Sequence, residues 1–160
     1  RGHNLFSYPS AVAILLSRRR GMQIYRTKAR KLPGTHWRQV FPTAFGFYKV
    51  IRGRTRRRPY IRSAYFNKEK VFLELFWPHL HEKENIRDKT RRLKYFICGL
   101  ELIQKSRFAP ISKENPNRRD ELVHRFAGVT PEQELFFVQI KENKRNRQKW
   151  FMSVFPVQNK

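Results

Sequence analysis

The sequence predicts an α+β fold in which two amphipathic helices pack on a C-terminal antiparallel sheet. Alternation of apolar and polar residues predicts strands over residues 122–126, 135–141 and 149–155. Two apolar stripes at helical spacing precede these strands, and each stripe needs a sheet to cover it. A long basic segment precedes both helices. We therefore expect a basic N-terminal extension over residues 1–65 and a compact domain over residues 66–160.

The two predicted helices depend on apolar residues that recur at helical spacing. We expect the first to begin at Asn67, because asparagine caps helix N-termini well, and Pro78 should kink it or end its first part. The second is predicted over residues 86–106. Upstream, residues 46–51 are expected to form a short strand. The two stripes are Val71, Phe72, Leu75, Phe76 and Leu80, and then Leu93, Phe96, Ile97, Leu100 and Ile103.

Strict alternation assigns the side chains of the predicted sheet to two faces. The second strand places Phe136, Val138 and Ile140 on one face and Phe137, Gln139 and Lys141 on the other. The third strand separates Trp150, Met152 and Val154 from Phe151, Ser153 and Phe155. One face can be core and the other a working surface. We expect that surface to carry Gln139, Lys141 and Ser153, with His124 nearby if the first strand pairs in register.

Charge divides the chain into two zones. The formal net charge is +24, and the first acidic residue is Glu69. Residues 1–68 carry seventeen Lys and Arg and no carboxylate, whereas residues 69–160 carry nineteen basic and twelve acidic residues. A zone without charge compensation repels itself, so we expect it to lie on a counter-charged partner or to be partly disordered alone. Nucleic acid is the first partner that this charge predicts.

Two basic runs are candidates for contacts with phosphates. The run over residues 52–62 is the densest, and residues 143–147 form the tip of the second predicted hairpin. Each engaged cation would release about one counterion. The alternatives for the first run are a solvated tail and a localisation signal. The candidate nucleic-acid-binding residues are Arg52, Arg54, Arg56, Arg57, Arg58, Arg62, Lys144, Arg145 and Arg147.

His124 and Arg125 indicate metal-free RNA cleavage. Histidine exchanges protons near neutral pH, and arginine can hold a phosphate as charge builds on it. Adjacent strand residues point to opposite faces, so the two share a surface only if a bulge near Gly128 twists the strand. Otherwise the histidine packs in the core and the arginine lies in solvent. Lys141 and Ser153 are further candidates, with ordinary half-exposed sheet residues as the alternative. His81 is either an active-site residue or a surface residue. Glu121 and Glu142 are either bases or salt-bridge partners.

The sequence lacks the motifs that hold a metal or a cofactor. There is no phosphate-binding glycine loop, no nucleotide fingerprint and no zinc spacing. His79 and His81 would diverge by about 200° on a helix, so they do not form a chelate there. The single cysteine, Cys98, excludes an internal disulfide framework and favours a reducing, cytoplasmic compartment. The apolar run over residues 11–16 is too short to cross a bilayer.

The order of elements and five short segments resemble the superfamily of barnase, RelE and the colicin ribonucleases, with its phage-borne and toxin-like branches. The segments are RRLKYF (91–96), NPN (115–117), HRF (124–126), VQIKE (138–142) and MSVFP (152–156). The resemblance covers roughly residues 66–157. It implies a metal-free ribonuclease whose basic residues, histidine and hydroxyl lie on the sheet, that is, His124, Arg125, Lys141 and Ser153.

Three functions follow from these observations. The first is a toxin-like, metal-independent endoribonuclease with an acidic antitoxin or inhibitor as its partner. The second is a non-catalytic RNA-binding protein of a ribonucleoprotein or ribosome-associated complex, because arginine runs interleaved with aromatics also suit a chain threaded along RNA. The third is an adaptor for a membrane surface or an acidic protein, which only the charge supports.

Overall fold

The computed structural model describes residues 21–157 of the chain. Within this range it contains four helices and seven strands. The apolar run over residues 11–16 lies outside the described residues. None of the described helices is long and apolar enough to span a membrane. In chain order the elements are β1 (Ile24–Arg26), α1 (Trp37–Arg54), β2 (Tyr60–Ser63), β3 (Glu69–Phe72), α2 (Phe76–His81), α3 (Ile86–Leu93), α4 (Phe96–Lys105), β4 (Ile111–Asn115), β5 (Arg118–Val129), β6 (Leu135–Asn143) and β7 (Lys149–Pro156).

All seven described strands belong to one mixed sheet. Its order is β1-β5-β6-β7-β3-β2, and β4 pairs with β5 as well. The central strands β5, β6 and β7 are antiparallel, whereas β1 runs parallel to β5 and β3 runs parallel to β7. Because β6 occupies one side of β5, β4 and β1 share its other side. β4 pairs with residues 118–125 of β5, and β1 with residues 127–129.

The predicted fold class is wrong. Within residues 21–157 the sheet has seven strands and is not a small C-terminal unit of three, and the domain contains four helices instead of two. The strands β1 and β2 precede the helices that were expected to open the domain, and β3 occupies the first part of the first of those predicted helices. Apolar residues of the acid-free zone fill the same core as the C-terminal strands, so residues on both sides of position 65 pack together. Those of the acid-free zone are Leu32, Val40, Ala44, Tyr48 and Ile61. The net charge of the zone gave no indication of this packing, because its cations from position 21 onward lie mostly on the surface.

The helix predicted to begin at Asn67 does not exist over its first half. Asn67 and Lys68 have φ angles of 54° and 65°, and they form the turn between β2 and β3. Val71 then pairs with Ile61 on one side and with Lys149 on the other. Cross-strand pairing therefore overrides the helical spacing of these residues. Only α2 remains helical, and Pro78 is its third residue, where the missing N–H breaks no intrahelical hydrogen bond.

Two further predictions need correction. The predicted helix over residues 86–106 is two helices, because α3 ends at Leu93 and α4 begins at Phe96. The predicted strand over residues 46–51 lies within α1, which buries Val40, Ala44 and Tyr48 at intervals of four residues. That interval is helical, and it outweighs the strand propensity of the short aromatic segment.

The three predicted C-terminal strands are confirmed, and one face of them forms the core. Phe126, Val138 and Ile140 are buried on the face that α4 covers. A β-bulge between Gln139 and Ile140 leaves Met152 as the extra residue of β7. Because of this bulge, Phe151 and Val154 both lie in the core. Strict alternation along β7, which had placed these two residues on opposite faces, is therefore wrong.

Gly128 has no room for a side chain. An added Cβ would lie 2.5 Å from Cζ of Phe136 and 2.8 Å from Cδ1 of Leu102. We expect Gly128→Ala to lower the free energy of unfolding by about 1–3 kcal/mol, because it overpacks the contact between the sheet and α4. Chemical denaturation measures the change. Gly46→Ala is the matched control, since no heavy atom lies within 4 Å of its added Cβ and alanine favours a helix. Equal stabilities for the two variants would contradict the prediction.

Candidate active site

A row of polar side chains crosses five adjacent strands on the helix-covered face. We call it the polar row, and it consists of Ser112 on β4, His124 on β5, Glu142 on β6, Lys149 on β7 and Glu69 on β3. Each of these strands is hydrogen-bonded to the next. Such a continuous set of polar contacts along one face of a sheet is costly to bury unless its members satisfy one another.

His124 is the centre of the polar row. Its Nε2 lies 2.7 Å from Oε1 of Glu142, and its Nδ1 lies 2.6 Å from Oγ of Ser112. A carboxylate at Glu142 accepts a hydrogen bond from Nε2–H, which leaves Nδ1 to accept the Ser112 hydroxyl. His124 is 6% exposed, whereas Ser112 is exposed. The buried histidine is therefore oriented by a buried carboxylate and reaches the surface through Nδ1.

Two cations accompany the Glu142 carboxylate. Its Oε2 accepts a hydrogen bond from Nε of Arg147 at 3.0 Å and lies 3.8 Å from Nζ of Lys149. Lys149 is only 1% exposed, and its ammonium also donates to Glu69 at 2.5 Å and to the carbonyl of Arg147 at 3.0 Å. The buried charges are thus paired and hydrogen-bonded, which offsets the cost of removing them from water.

Phe66 covers the polar row. Its ring centroid lies 5.1 Å from that of His124 in an edge-to-face arrangement and 4.8 Å from Nζ of Lys149. The ring contacts both the histidine and the ammonium, and it separates them from water on that side. Low local polarity strengthens the hydrogen bonds beneath it.

The structure places three predicted catalytic residues on the opposite face of the sheet from His124. Arg125 lies over the rings of Phe137 and Phe155 at 5.4 and 5.6 Å. Lys141 forms an ion pair with Glu121 at 3.0 Å. Ser153 donates a hydrogen bond to Gln139 at 3.0 Å. No bulge interrupts the pairing of β5 with β6 near His124, so Arg125 keeps the opposite orientation.

His81 belongs to an aromatic cluster and not to the polar row. It lies at the end of α2, and its ring is 5.9 Å from that of Trp37 and 6.5 Å from that of Phe41. Its neighbour His79 lies 3.6 Å from Glu82, and burial lowers the pKa of its imidazole. Within residues 21–157, no three His, Cys, Asp or Glu side chains are arranged to hold a metal ion.

Some of the predicted RNA-binding residues form an ion pair or lie over an aromatic ring, and others are exposed cations. Arg58 is bound to Glu74 and lies 3.8 Å from the centroid of Phe72. Lys144 is bound to Glu114, and Arg147 to Glu142, although the Arg147 side chain is 73% exposed. Arg52 lies over the Phe45 and Tyr48 rings. The others, namely Arg54, Arg56, Arg57, Arg62 and Arg145, have exposed side chains.

Sequence reasoning found His124 and Glu142 and missed the rest of the polar row. No sequence pattern pointed to Ser112, because residues 110–120 were predicted to be a connecting segment, whereas the structure has β4 there. No pattern pointed to Glu69 or Lys149 either, since their contact depends on the parallel pairing of β3 with β7. Alternation along β6 places Glu142 on the same face as Ile140, so the face of the sheet on which Glu142 lies could be predicted from the sequence.

No protein-family model, curated protein or solved structure matches the chain. No relative therefore assigns a role to any residue of the polar row.

Removing the charge of Glu142 should destabilise the fold. Glu142→Gln leaves the buried Lys149 without its buried carboxylate, and we expect a loss of about 3 kcal/mol in the free energy of unfolding. Glu69 is the matched control, because the same lysine contacts it but its side chain is 51% exposed. Glu69→Gln should cost about 1 kcal/mol or less. A larger loss for Glu69→Gln than for Glu142→Gln would contradict this ranking.

Cys98 should not react in the folded protein. Burial raises the pKa of its thiol to about 12, and the side chain is fully buried with Sγ 3.4 Å from the carbonyl oxygen of Ala29. Only the thiolate attacks disulfide reagents, and the raised pKa keeps the thiol protonated at pH 8. We expect Ellman's reagent to titrate one thiol in guanidinium chloride and none in native buffer. Rapid reaction of the native protein would show that α4 opens readily.

Proposed function

We propose that this protein is a metal-independent endoribonuclease in which His124 is the general base. One observation carries the proposal: a buried histidine is held by a buried carboxylate and presents its other nitrogen to an exposed hydroxyl. A base arranged in this way can accept a proton from a hydroxyl group without a metal. The net charge of +24 favours a polyanionic substrate.

The ribose 2′-hydroxyl would occupy the position that the Ser112 hydroxyl takes beside Nδ1. His124 would accept the proton of that hydroxyl, and the 2′-oxygen would form a bond with the adjacent phosphorus. The bond from phosphorus to the 5′-oxygen of the next nucleotide then breaks, and that oxygen takes a proton from water. The hydroxide that remains takes the proton from His124, which restores the base. The products are a 2′,3′-cyclic phosphate and a 5′-hydroxyl.

Arg147 is the cation best placed to neutralise the phosphate in this mechanism. It shares Glu142 with His124, and its guanidinium is largely exposed. Only its Nε is bound to Glu142, so its terminal nitrogens could donate to a phosphate oxygen. Arg125 and Lys141 had been expected in this role, but both lie on the other face of the sheet and are engaged there.

The resemblance to the superfamily of barnase, RelE and the colicin ribonucleases supports the same chemistry. The features of this chain that support it are the antiparallel strands β5, β6 and β7 and the pair of His124 and Glu142 on them. A toxin-like ribonuclease needs an inhibitor in its own cell. We propose an acidic protein in that role, because the charge of this chain would attract it strongly.

A second function, RNA binding without cleavage, is favoured by a different observation. Among the residues that precede Glu69, several described cations are exposed and no carboxylate neutralises them from within that part of the sequence. A surface of this kind binds phosphates without any acid–base group. In this function the polar row would only stabilise the sheet.

Replacement of His124 separates the two functions. We expect His124→Gln to reduce cleavage by about 100-fold to 10,000-fold, because glutamine can replace the hydrogen bonds but cannot accept the proton. The assay uses a fluorescent structured RNA in excess EDTA, with identification of the product ends. Binding of a 2′-O-methyl RNA, which cannot be cleaved in this way, should remain within about threefold of the parent protein.

Two further variants act as controls for this assay. Arg125→Gln alters the opposite face and should leave cleavage within a few-fold of the parent protein. Ser112→Ala should also retain cleavage, because the substrate hydroxyl replaces its contact with Nδ1. Cleavage that persists in His124→Gln excludes His124 as the base. Tight RNA binding with no cleavage by the parent protein establishes the second function instead.

A further inference from the structure

A groove of about 940 Å³ lies where α1, β2 and α4 meet, on residues that the polar row does not use. Its wall includes the last turn of α1, the strand β2, the turn between β2 and β3, and the last turn of α4. We call it the basic groove. Its charged residues are Arg54, Arg62, Lys68, Lys105 and Arg107.

Among the residues that the structure describes, the lining of the basic groove has five cations and no acidic residue. Arg54 and Arg62 come from the basic run that the sequence singled out. Lys68, Lys105 and Arg107 come from other segments, and folding brings all five together. The nearest acidic side chain along α4, Glu101, is not part of the lining. It attracts Lys105 electrostatically, but its oxygens accept hydrogen bonds from the Tyr25 hydroxyl and from the backbone N–H groups of Lys28 and Ala29.

Two helix C-termini reach the groove, and their effect opposes anion binding. Each C-terminus carries about half a negative charge. Part of this is neutralised locally, because the Thr55 hydroxyl donates to the carbonyls of Ile51 and Arg52. About one negative charge from the two helices is small beside five full cations. The net potential of the groove is therefore strongly positive.

Side chains other than the cations shape the groove for an extended ligand. Tyr60 lies in its wall, with the guanidinium of Arg62 5.4 Å from its ring centroid. Arg62 also donates to the carbonyl of Lys68 at 2.9 Å, which fixes the turn between β2 and β3. Asn67 and Gln104 add polar groups that can contact a sugar or phosphate oxygen. The cations are thus anchored on strand, turn and helices at several points along the groove.

We propose that the basic groove binds the phosphodiester backbone of RNA. This inference deepens the proposed function, because it takes RNA as the ligand, but it does not require that the protein cleaves RNA. Five cations without carboxylates suit several successive phosphates better than a single phosphate group. The groove holds the strand, and His124 acts at a separate place on the sheet.

The test is a triple variant, Arg62→Gln, Lys105→Gln and Arg107→Gln, with binding of a fluorescent 2′-O-methyl RNA measured over a range of salt concentrations. We expect a 10-fold to 100-fold loss of affinity near 150 mM salt. The slope of log Kd against log salt should fall by about 2, since each contact with single-stranded nucleic acid contributes about 0.7. Thermal melting verifies that the variant is folded.

The matched control removes three exposed cations from other surfaces, namely Arg26→Gln, Arg38→Gln and Arg87→Gln. It has the same net charge as the groove variant and should lose less than about threefold in affinity. Equal losses for the two variants would overturn the proposal, because binding would then depend on net charge alone. A single-stranded DNA of the same sequence tests whether the groove contacts only the phosphate chain. If it does, the groove variant loses affinity for this DNA by the same factor as for the RNA.

Failure of the groove and failure of the nuclease mechanism give different results. The groove variant measured with uncleavable RNA reports binding alone, whereas His124→Gln measured with cleavable RNA reports chemistry alone. Normal RNA binding by the groove variant would contradict the groove proposal without bearing on the nuclease mechanism. Loss of binding in that variant, with no cleavage by the parent protein, would support the groove proposal and contradict the nuclease mechanism.

Discussion

The Glu142 carboxylate is the interaction on which this structure depends most. One oxygen orients His124 on β5, and the other meets Arg147 in the following turn and Lys149 on β7. A single buried acid therefore ties three consecutive strands together on the core side of the sheet. Lys149 is charged and buried, so loss of the carboxylate would leave an ammonium without its buried carboxylate in the interior. Stability and chemistry depend on the same group.

The polar row resolves a conflict between two demands on the sheet. The helix-covered face must be apolar to form a core, and Phe126, Val138 and Ile140 meet that demand. The same face carries His124 and Glu142 two residues further along the central strands. Phe66 separates the polar groups from water on one side, while Ser112 connects them to it. The result is a site at the boundary of the core and not on the open face of the sheet.

Much of the central sheet could be predicted from the sequence, because β5, β6 and β7 alternate clearly and are joined by short turns. Asn67 misled the prediction, since an asparagine before an apolar run suits a helix cap and equally a turn with positive φ. Ser112 and Lys149 could not be connected to His124, because their contacts depend on pairings that no local pattern encodes. The base and the carboxylate of the site could be named from the sequence, and so could the face of Glu142, but the strand register that brings Glu142 beside His124 could not.

The strand β2 has a consequence beyond the basic groove, because it is an edge of the sheet that no other strand within residues 21–157 covers. Open edges can pair with another copy of the same chain and so begin aggregation. Here the edge is four residues long, begins after Pro59 and presents the exposed Arg62. Two such edges would repel each other in a protein of net charge +24. The cations that would hold a phosphate chain thus also keep copies of the protein apart, and a polyanion that neutralises them would remove that protection.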